Sequence, residues 1–237
     1  YHLFQYVVKD ANDNTSVLTF TVFSDKVEHQ QHSLQSDLWN PLQDHRFENA
    51  QMSIFFPSRS LYDTLSFSAL VKESTQSVTG QIYEIGRIGV GLQKQIQVSL
   101  KNQDISPELK SKTYIGRLDQ DQINAYSCKW IKKDITFTTK EFGSYLVLVD
   151  SIRPSIYLKT DLKKNPQPQE LVFIVKDQES GVSKYDAWLN GSWILLEWDP
   201  KKSMMKSQFQ YTNPEGNIFR IKITDAVGNI QEEIINF

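Results

Sequence analysis

Apolar and polar residues alternate one by one along most of this chain. Met52, Ile54 and Phe56 share one parity before Pro57 breaks the run; Leu65, Phe67, Ala69 and Val71 alternate again, as do Ile96, Val98 and Leu100. Successive side chains of a strand point to opposite faces, so a period of two predicts half-buried antiparallel strands rather than helices. Further strand-like segments run over Tyr114–Leu118, Ile123–Ser127, Ile135–Thr138 and Tyr145–Val149, with Gly143 in the turn before the last. Asn102–Lys112 has room for one helical turn.

The pattern is clearest toward the C-terminus. After a short hinge, Asp150-Ser151-Ile152-Arg153-Pro154, strands are predicted at Ser155–Lys159, Leu171–Lys176, Ser183–Leu189, Ser192–Trp198, Met204–Tyr211, Ile218–Thr224 and Ile230–Asn236. Seven short strands separated by turn residues fit an immunoglobulin-like sandwich. Asn190-Gly191 is a two-residue hairpin turn, which pairs Leu189 with Ser192 and Trp188 with Trp193. Counting outward pairs Asp186 with Leu195 and Lys184 with Glu197. Trp188, Trp193, Lys184 and Glu197 then share one mixed face. Tyr185, Ala187, Leu189, Ile194, Leu196 and Trp198 form the other, the core face.

The chain also echoes itself. Aligning Asp10 with Asp225 matches Phe4 with Phe219, Ala11 with Ala226 and Asn14 with Asn229. Each copy is an apolar strand, an Asp-Ala-x-Asp/Gly-Asn turn and a second strand, the signature of a β-hairpin whose Asp caps the turn. The expected class is all-β: tandem antiparallel β-sandwiches, immunoglobulin or fibronectin-III-like, with little or no helix. Residues 1–23 read as the final hairpin of an upstream sandwich, 24–50 as a polar linker partly packed through Trp39 and Phe47, 51–150 as a sandwich and 151–237 as an immunoglobulin-like sandwich. Because the chain opens in mid-strand, it reads as a piece of a longer polypeptide.

Composition narrows the function classes. Among 237 residues, 12% are aromatic, which suits pleated strands. The net charge is −2 with both signs mixed, so no electrostatic footprint for nucleic acid or an anionic membrane is expected. No apolar run approaches the length of a membrane-spanning helix. Cys128 stands alone, so no disulfide framework is possible within the chain, and a small buried hydrophobe is the expected role.

Candidate chemistry is sparse. His29 and His32, with Asp37 and His45 nearby, fit no strong zinc spacing and lie in polar sequence, so solvated side chains account for them better. Asp10, Asn12, Asp13 and Asn14, and separately Asp177 and Glu179, are oxygen-rich, but they lack the glycine and distant Glu of a calcium loop; turn chemistry explains them. No G-x-S-x-G occurs, and Gly86-Arg87-Ile88-Gly89-Val90-Gly91 lacks the Lys-Ser/Thr of a phosphate loop, so it reads as a connection between strands. No catalytic residue, metal ligand or cofactor is expected. Trp188 and Trp193 remain as candidate ligand-binding residues, since exposed indoles can stack on sugar rings; stabilisation of the hairpin is the plainer role.

The succession Phe142-Gly143-Ser144-Tyr145-Leu146-Val147-Leu148-Val149-Asp150, Arg153-Pro154-Ser155-Ile156, Asp177-Gln178-Glu179-Ser180-Gly181-Val182, Leu189-Asn190-Gly191-Ser192-Trp193 and Thr224-Asp225-Ala226-Val227-Gly228-Asn229 resembles the C-terminal β-rich region of lysostaphin-type zinc metallopeptidases of the Gram-negative envelope. The resemblance spans nearly the whole chain. It implies a periplasmic or outer-surface location, a covalently linked upstream peptidase domain, and peptidoglycan or an envelope protein as partner. The family's His-x-x-x-Asp and His-x-His zinc ligands have no counterpart here, since Tyr6, Ser33, Ser36 and Asn49 stand four residues after the four histidines. The expected function is therefore that of a non-catalytic accessory or targeting region of a peptidoglycan hydrolase. The alternatives are a stand-alone glycan-binding or adhesion module and a plain spacer.

Overall fold

A computed structural model describes residues 1–23, 38–120, 122–209 and 213–237. The chain separates into two compact units, Tyr1–Ser36 and Asp37–Phe237. In the first, β1 (His2–Lys9) and β2 (Thr15–Val22) form an antiparallel hairpin with every residue paired, from His2 opposite Val22 to Lys9 opposite Thr15.

The second unit holds two sandwiches. The first contains β3 (Leu38–Trp39), β4 (His45–Glu48), β5 (Met52–Phe56), β6 (Leu65–Ser66), β7 (Ala69–Glu73), β8 (Gln81–Ile85) and β9 (Gly91–Leu100). A single helical turn, α1 (Pro107–Lys110), comes next, followed by β10 (Thr113–Asp119), β11 (Gln122–Tyr126), β12 (Lys129–Ile131), β13 (Asp134–Glu141) and β14 (Gly143–Val149). One sheet runs β11-β10-β14-β8-β7, the other β12-β13-β9-β5-β4, and β3 pairs with β6. The alternation of Met52, Ile54 and Phe56 becomes burial on every second residue of β5, against Val98 and Leu100 of β9 and Tyr83 and Ile85 of β8. Each such side chain contributes about 1.5–3 kcal/mol when fully buried.

Residues 38–48 correct the expected linker. β4 is an edge strand paired with β5 from His45–Phe56 to Glu48–Ser53. Trp39 stacks on His45 at 4.8 Å and on Phe67 at 4.7 Å, with Phe56 edge-on at 4.9 Å. Segment 24–37 lies outside the described residues. The run Leu65–Val71 is also two strands, not one: β6 and β7 belong to different sheets, and Phe67 between them enters the aromatic stack. β8, whose Tyr83 and Ile85 are fully buried, was not anticipated.

The second sandwich contains β15 (Ser155–Leu158), β16 (Glu170–Lys176), β17 (Val182–Leu189), β18 (Ser192–Ile194), β19 (Glu197–Asp199), β20 (Met204–Gln208), β21 (Ile218–Asp225) and β22 (Ile230–Asn236). Its sheets run β15-β16-β20-β19 and β18-β17-β21-β22, the immunoglobulin arrangement of two facing four-stranded sheets. Phe173 of β16 stacks on Phe219 of β21 at 5.4 Å across the core.

The Asn190-Gly191 turn has positive φ at both residues, 51° and 84°, as a type I′ turn requires. Leu189 pairs with Ser192 and Trp188 with Trp193. Beyond Ile194 the expected register is overturned: Glu197 pairs with Lys206 of β20 in the other sheet, not with Lys184. The crossing is local. Leu196 drops into the core while Leu195 stays 62% exposed, and the Leu195 carbonyl accepts from Ser207 Oγ at 2.7 Å. Tyr185, expected in the core, is more than a third exposed.

Candidate functional site

The densest polar convergence lies where the two sandwiches meet. Val149 ends β14, and the next residue, Asp150, is fully buried, its N–H donating to the Lys112 carbonyl at 2.9 Å. Asp150 Oδ2 accepts from Ser180 N–H at 3.2 Å and from Ser180 Oγ. Asp150 Oδ1 accepts from Ile152 N–H at 2.9 Å. The loop after β16 supplies Asp177, whose Oδ1 accepts from the N–H groups of Glu179 at 3.1 Å and Gly181 at 2.8 Å. The β21–β22 turn supplies Asp225, whose Oδ1 accepts from Val227 and Asn229 N–H.

Asn229 closes the cluster. Its Nδ2 donates to Asp225 Oδ2 at 2.7 Å and also lies 3.1 Å from the Asp150 carbonyl and 3.2 Å from the Ile152 carbonyl. Ala226 N–H donates to the Gly181 carbonyl at 2.9 Å, and Lys112 Nζ reaches the Val227 carbonyl at 3.5 Å. One side chain on the last hairpin thus grips the connection between the sandwiches.

Asp150, Asp177 and Asp225 each offer an oxygen within 4.8 Å of the others, a spacing a cation can bridge. The same carboxylates already serve as acceptors for backbone N–H, hydroxyl and amide groups, which is the arrangement of a structural clasp. A cleft of about 450 Å³ beside them is lined by Arg153, Lys176, Asp177 and Glu179.

The electrostatics divide the group. Burial raises Asp177, helped by Asp150 and Asp225 and opposed by the N–H groups of Gly181 and Glu179. Burial likewise raises Glu179, together with its hydrogen bond to Asp150 and the neighbouring carboxylates. Asp150 also feels burial, but the hydrogen bonds from Ser180 and Ile152 outweigh it and hold its carboxyl below the ordinary value. A carboxyl raised in the folded state destabilises the fold when ionised, and that cost disappears as pH falls through its folded pKa; a lowered one loses its contribution on protonation. Stability should therefore rise as pH is lowered through the raised range of Asp177 and Glu179, and fall again at lower pH as Asp150, held below the ordinary carboxylate value, is protonated. Asp177→Asn, which keeps an acceptor oxygen but removes the charge, should flatten the rise; melting temperatures across the pH series check this.

Trp188 and Trp193 are neighbours, as their pairing requires, but unequal. Trp193 is 58% exposed, with Nε1 donating to Asp186 Oδ1 at 3.3 Å. Trp188 is half-buried beneath the Arg220 guanidinium, 4.0 Å from its ring centre. Such contacts stabilise the hairpin. Trp193→Ala should cost about 1 kcal/mol or less, read as a small drop in unfolding midpoint.

The other candidates resolve into structure. Asp10 Oδ1 accepts from Asn12 and Asn14 N–H, and its Oδ2 accepts from Asn14 Nδ2; Asp13 takes the positive-φ position at 63°. His45 is held against Trp39, its Nε2 2.7 Å from the Asn40 carbonyl. His29, His32 and Asp37 fall outside the described residues. Cys128 is half-buried against the first core, and burial pushes its thiol up to about 11; an un-ionised thiol is a poor nucleophile. Gly86–Gly91 connects β8 to β9.

The clasp was missed from sequence because its parts lie far apart. Asp177 and Glu179 were recognised only as an isolated oxygen-rich turn, and nothing local tied them to Asp150 or Asp225. The sequence signal that touches the clasp is the repeated Asp-Ala-x-x-Asn turn, which singles out Asp225 and Asn229 but not their distant partners.

Among the described residues no helix is long and apolar enough to cross a membrane. No curated protein matches the chain. Residues 37–150, which correspond to the first sandwich from its β3 edge to the buried Asp150, match the Zu5-like domain family.

Proposed function

We propose that this chain is a non-catalytic accessory region of an envelope peptidoglycan metallopeptidase, holding linked parts of the polypeptide at a fixed mutual orientation at the cell wall of a Gram-negative bacterium. The observation that carries the reading is the clasp. A connection built on a buried carboxylate, gripped by Ser180 and Asn229, gives the second sandwich a defined pose on the first. A flexible tether needs no such convergence, and domains joined only by exposed linkers move freely by default. The small accessory-domain character of the Zu5-like match agrees with this role, and the resemblance of the turn motifs to the region following lysostaphin-type peptidase domains suggests the setting.

Two measurements test it. Spin labels placed on the two sandwiches should give a narrow distance distribution that broadens in Asn229→Ala. Incubated with purified peptidoglycan and zinc, the chain should release no soluble fragments; release would end the non-catalytic reading. A second reading, glycan binding, is favoured by the exposed Trp193 beside Trp188. It requires that pelleting of the chain with peptidoglycan be lost in the Trp188→Ala/Trp193→Ala variant.

A further inference from the structure

The two Asp-Ala-x-x-Asn hairpins match in structure as well as sequence. With Asp10 set on Asp225, the β1–β2 register coincides residue for residue with that of β21–β22: Phe4–Phe20 falls on Phe219–Ile235 and Tyr6–Leu18 on Ile221–Glu233. The turns match bond for bond. Asp10 Oδ1 accepts from Asn12 and Asn14 as Asp225 Oδ1 accepts from Val227 and Asn229, and the Asn Nδ2 to Asp Oδ2 distance is 2.7 Å in both. The positive-φ position, Asp13 or Gly228, is shared as well.

The difference is in what covers them. Phe219, Ile221 and Ile223 are fully buried beneath the facing sheet of their sandwich, where Phe173 of β16 stacks on Phe219. Their counterparts Phe4, Tyr6 and Val8 join Leu18, Phe20 and Val22 in a continuous apolar face, with Phe4 45% and Phe20 39% exposed. Phe4 and Tyr6 both stack on Phe20, at 5.5 and 5.9 Å. The opposite face carries Gln5, Lys9, Thr15, Thr19 and Thr21 between its apolar residues. A two-stranded hairpin is marginal in water and needs a second layer.

We infer that residues 1–23 are the closing hairpin of a third immunoglobulin-like sandwich, and that the occupant of the Phe4–Tyr6–Phe20 face is a set of strands equivalent to β15–β20. Covering the face with any apolar surface would not explain the turn. In the second sandwich the Asn of this turn grips the backbone that leads into the first strand, and the Ala N–H bonds the carbonyl of a glycine in an Asp-x-x-Ser-Gly loop. The Ala11 N–H and the Asn14 amide, which bonds Asp10 as Asn229 bonds Asp225, stand in the same positions of the turn. The partner strands should therefore present an acidic entry residue, like Asp150, and a glycine carbonyl, like Gly181. The inference does not depend on the proposed wall function, since it concerns only what completes the fold.

Grafting tests the equivalence in the full chain. Residues 217–237 are replaced by residues 2–22, and a second variant carries only the inward substitutions Ile221→Tyr, Ile223→Val, Glu233→Leu, Ile235→Phe and Phe237→Val. Amide exchange of β16 and β17 and the unfolding midpoint are then read. The inference expects protected amides and a midpoint within about 10 °C of the parent in at least one graft. Amides exchanging at unfolded-chain rates in both would overturn it. Sedimentation of the native chain between 1 and 100 µM supplies the other arm. A monomer is expected; a dimer abolished by Phe4→Ser/Phe20→Ser would assign the face to a second copy of the chain and refute the inference.

Discussion

Asn229→Ala should destabilise the second unit by about 3 kcal/mol, because it leaves Asp225 Oδ2 and the Asp150 and Ile152 carbonyls without their shared donor in a buried setting. For a cooperative unit of this size that corresponds to a fall in melting temperature of about 10 °C. Asn14→Ala removes the same bond within the other turn, where the site is exposed and no connection is gripped, and should cost under about 1 kcal/mol. The pair separates the turn bond, common to both, from the clasp, present in one. Equal effects, measured by calorimetry, would show that Asn229 serves its own turn alone.

Gly86→Ala is expected to be comparably damaging in the first sandwich. Gly86 sits at φ +62°, and a Cβ there would lie 2.4–2.8 Å from three atoms of the Phe142 ring. Phe142 is itself buried against Phe56 and Phe67, so the ring has no empty space to enter. Left-handed backbone costs an L-residue about 1–2 kcal/mol, and overpacking adds a further 1–3, for a total of about 3 kcal/mol. Gly89, in the same connection at φ +89°, meets nothing within 4 Å. Gly89→Ala should show only the backbone cost of about 1 kcal/mol. Denaturant midpoints of the two variants, taken at equal slope, give the comparison directly.

The fold was legible wherever one face of a strand is buried and the other is wet. Met52-Ile54-Phe56 and Ile218–Thr224 alternate in sequence because they alternate in burial. The Asn190-Gly191 turn gave the pairing of Trp188 with Trp193 because a two-residue loop leaves no other register. What failed was long-range. β4 is a short edge strand whose His45 and Arg46 look like linker chemistry, and only the aromatic stack of Trp39, Phe56 and Phe67 explains its place. The step at Leu195–Leu196 preserves an apolar run while changing sheets, so counting outward from the turn could not detect it. The carboxylate clasp draws on three loops separated by tens of residues. Local spacing records none of that convergence, except as the recurrence of Asp225 and Asn229 in the pattern of Asp10 and Asn14.

Asp150 is both the residue after the last strand of one sandwich and the anchor of the next, and this makes chain length at that point a quantised variable. One inserted residue in extended backbone advances the chain by about 3.3 Å, more than the distance over which a hydrogen bond survives. A single insertion or deletion between Val149 and Ser155 would thus take Asp150 out of reach of Ser180 and Asn229 at once. The spacing of the two sandwiches cannot drift by small steps; it is inherited whole or replaced by a different connection.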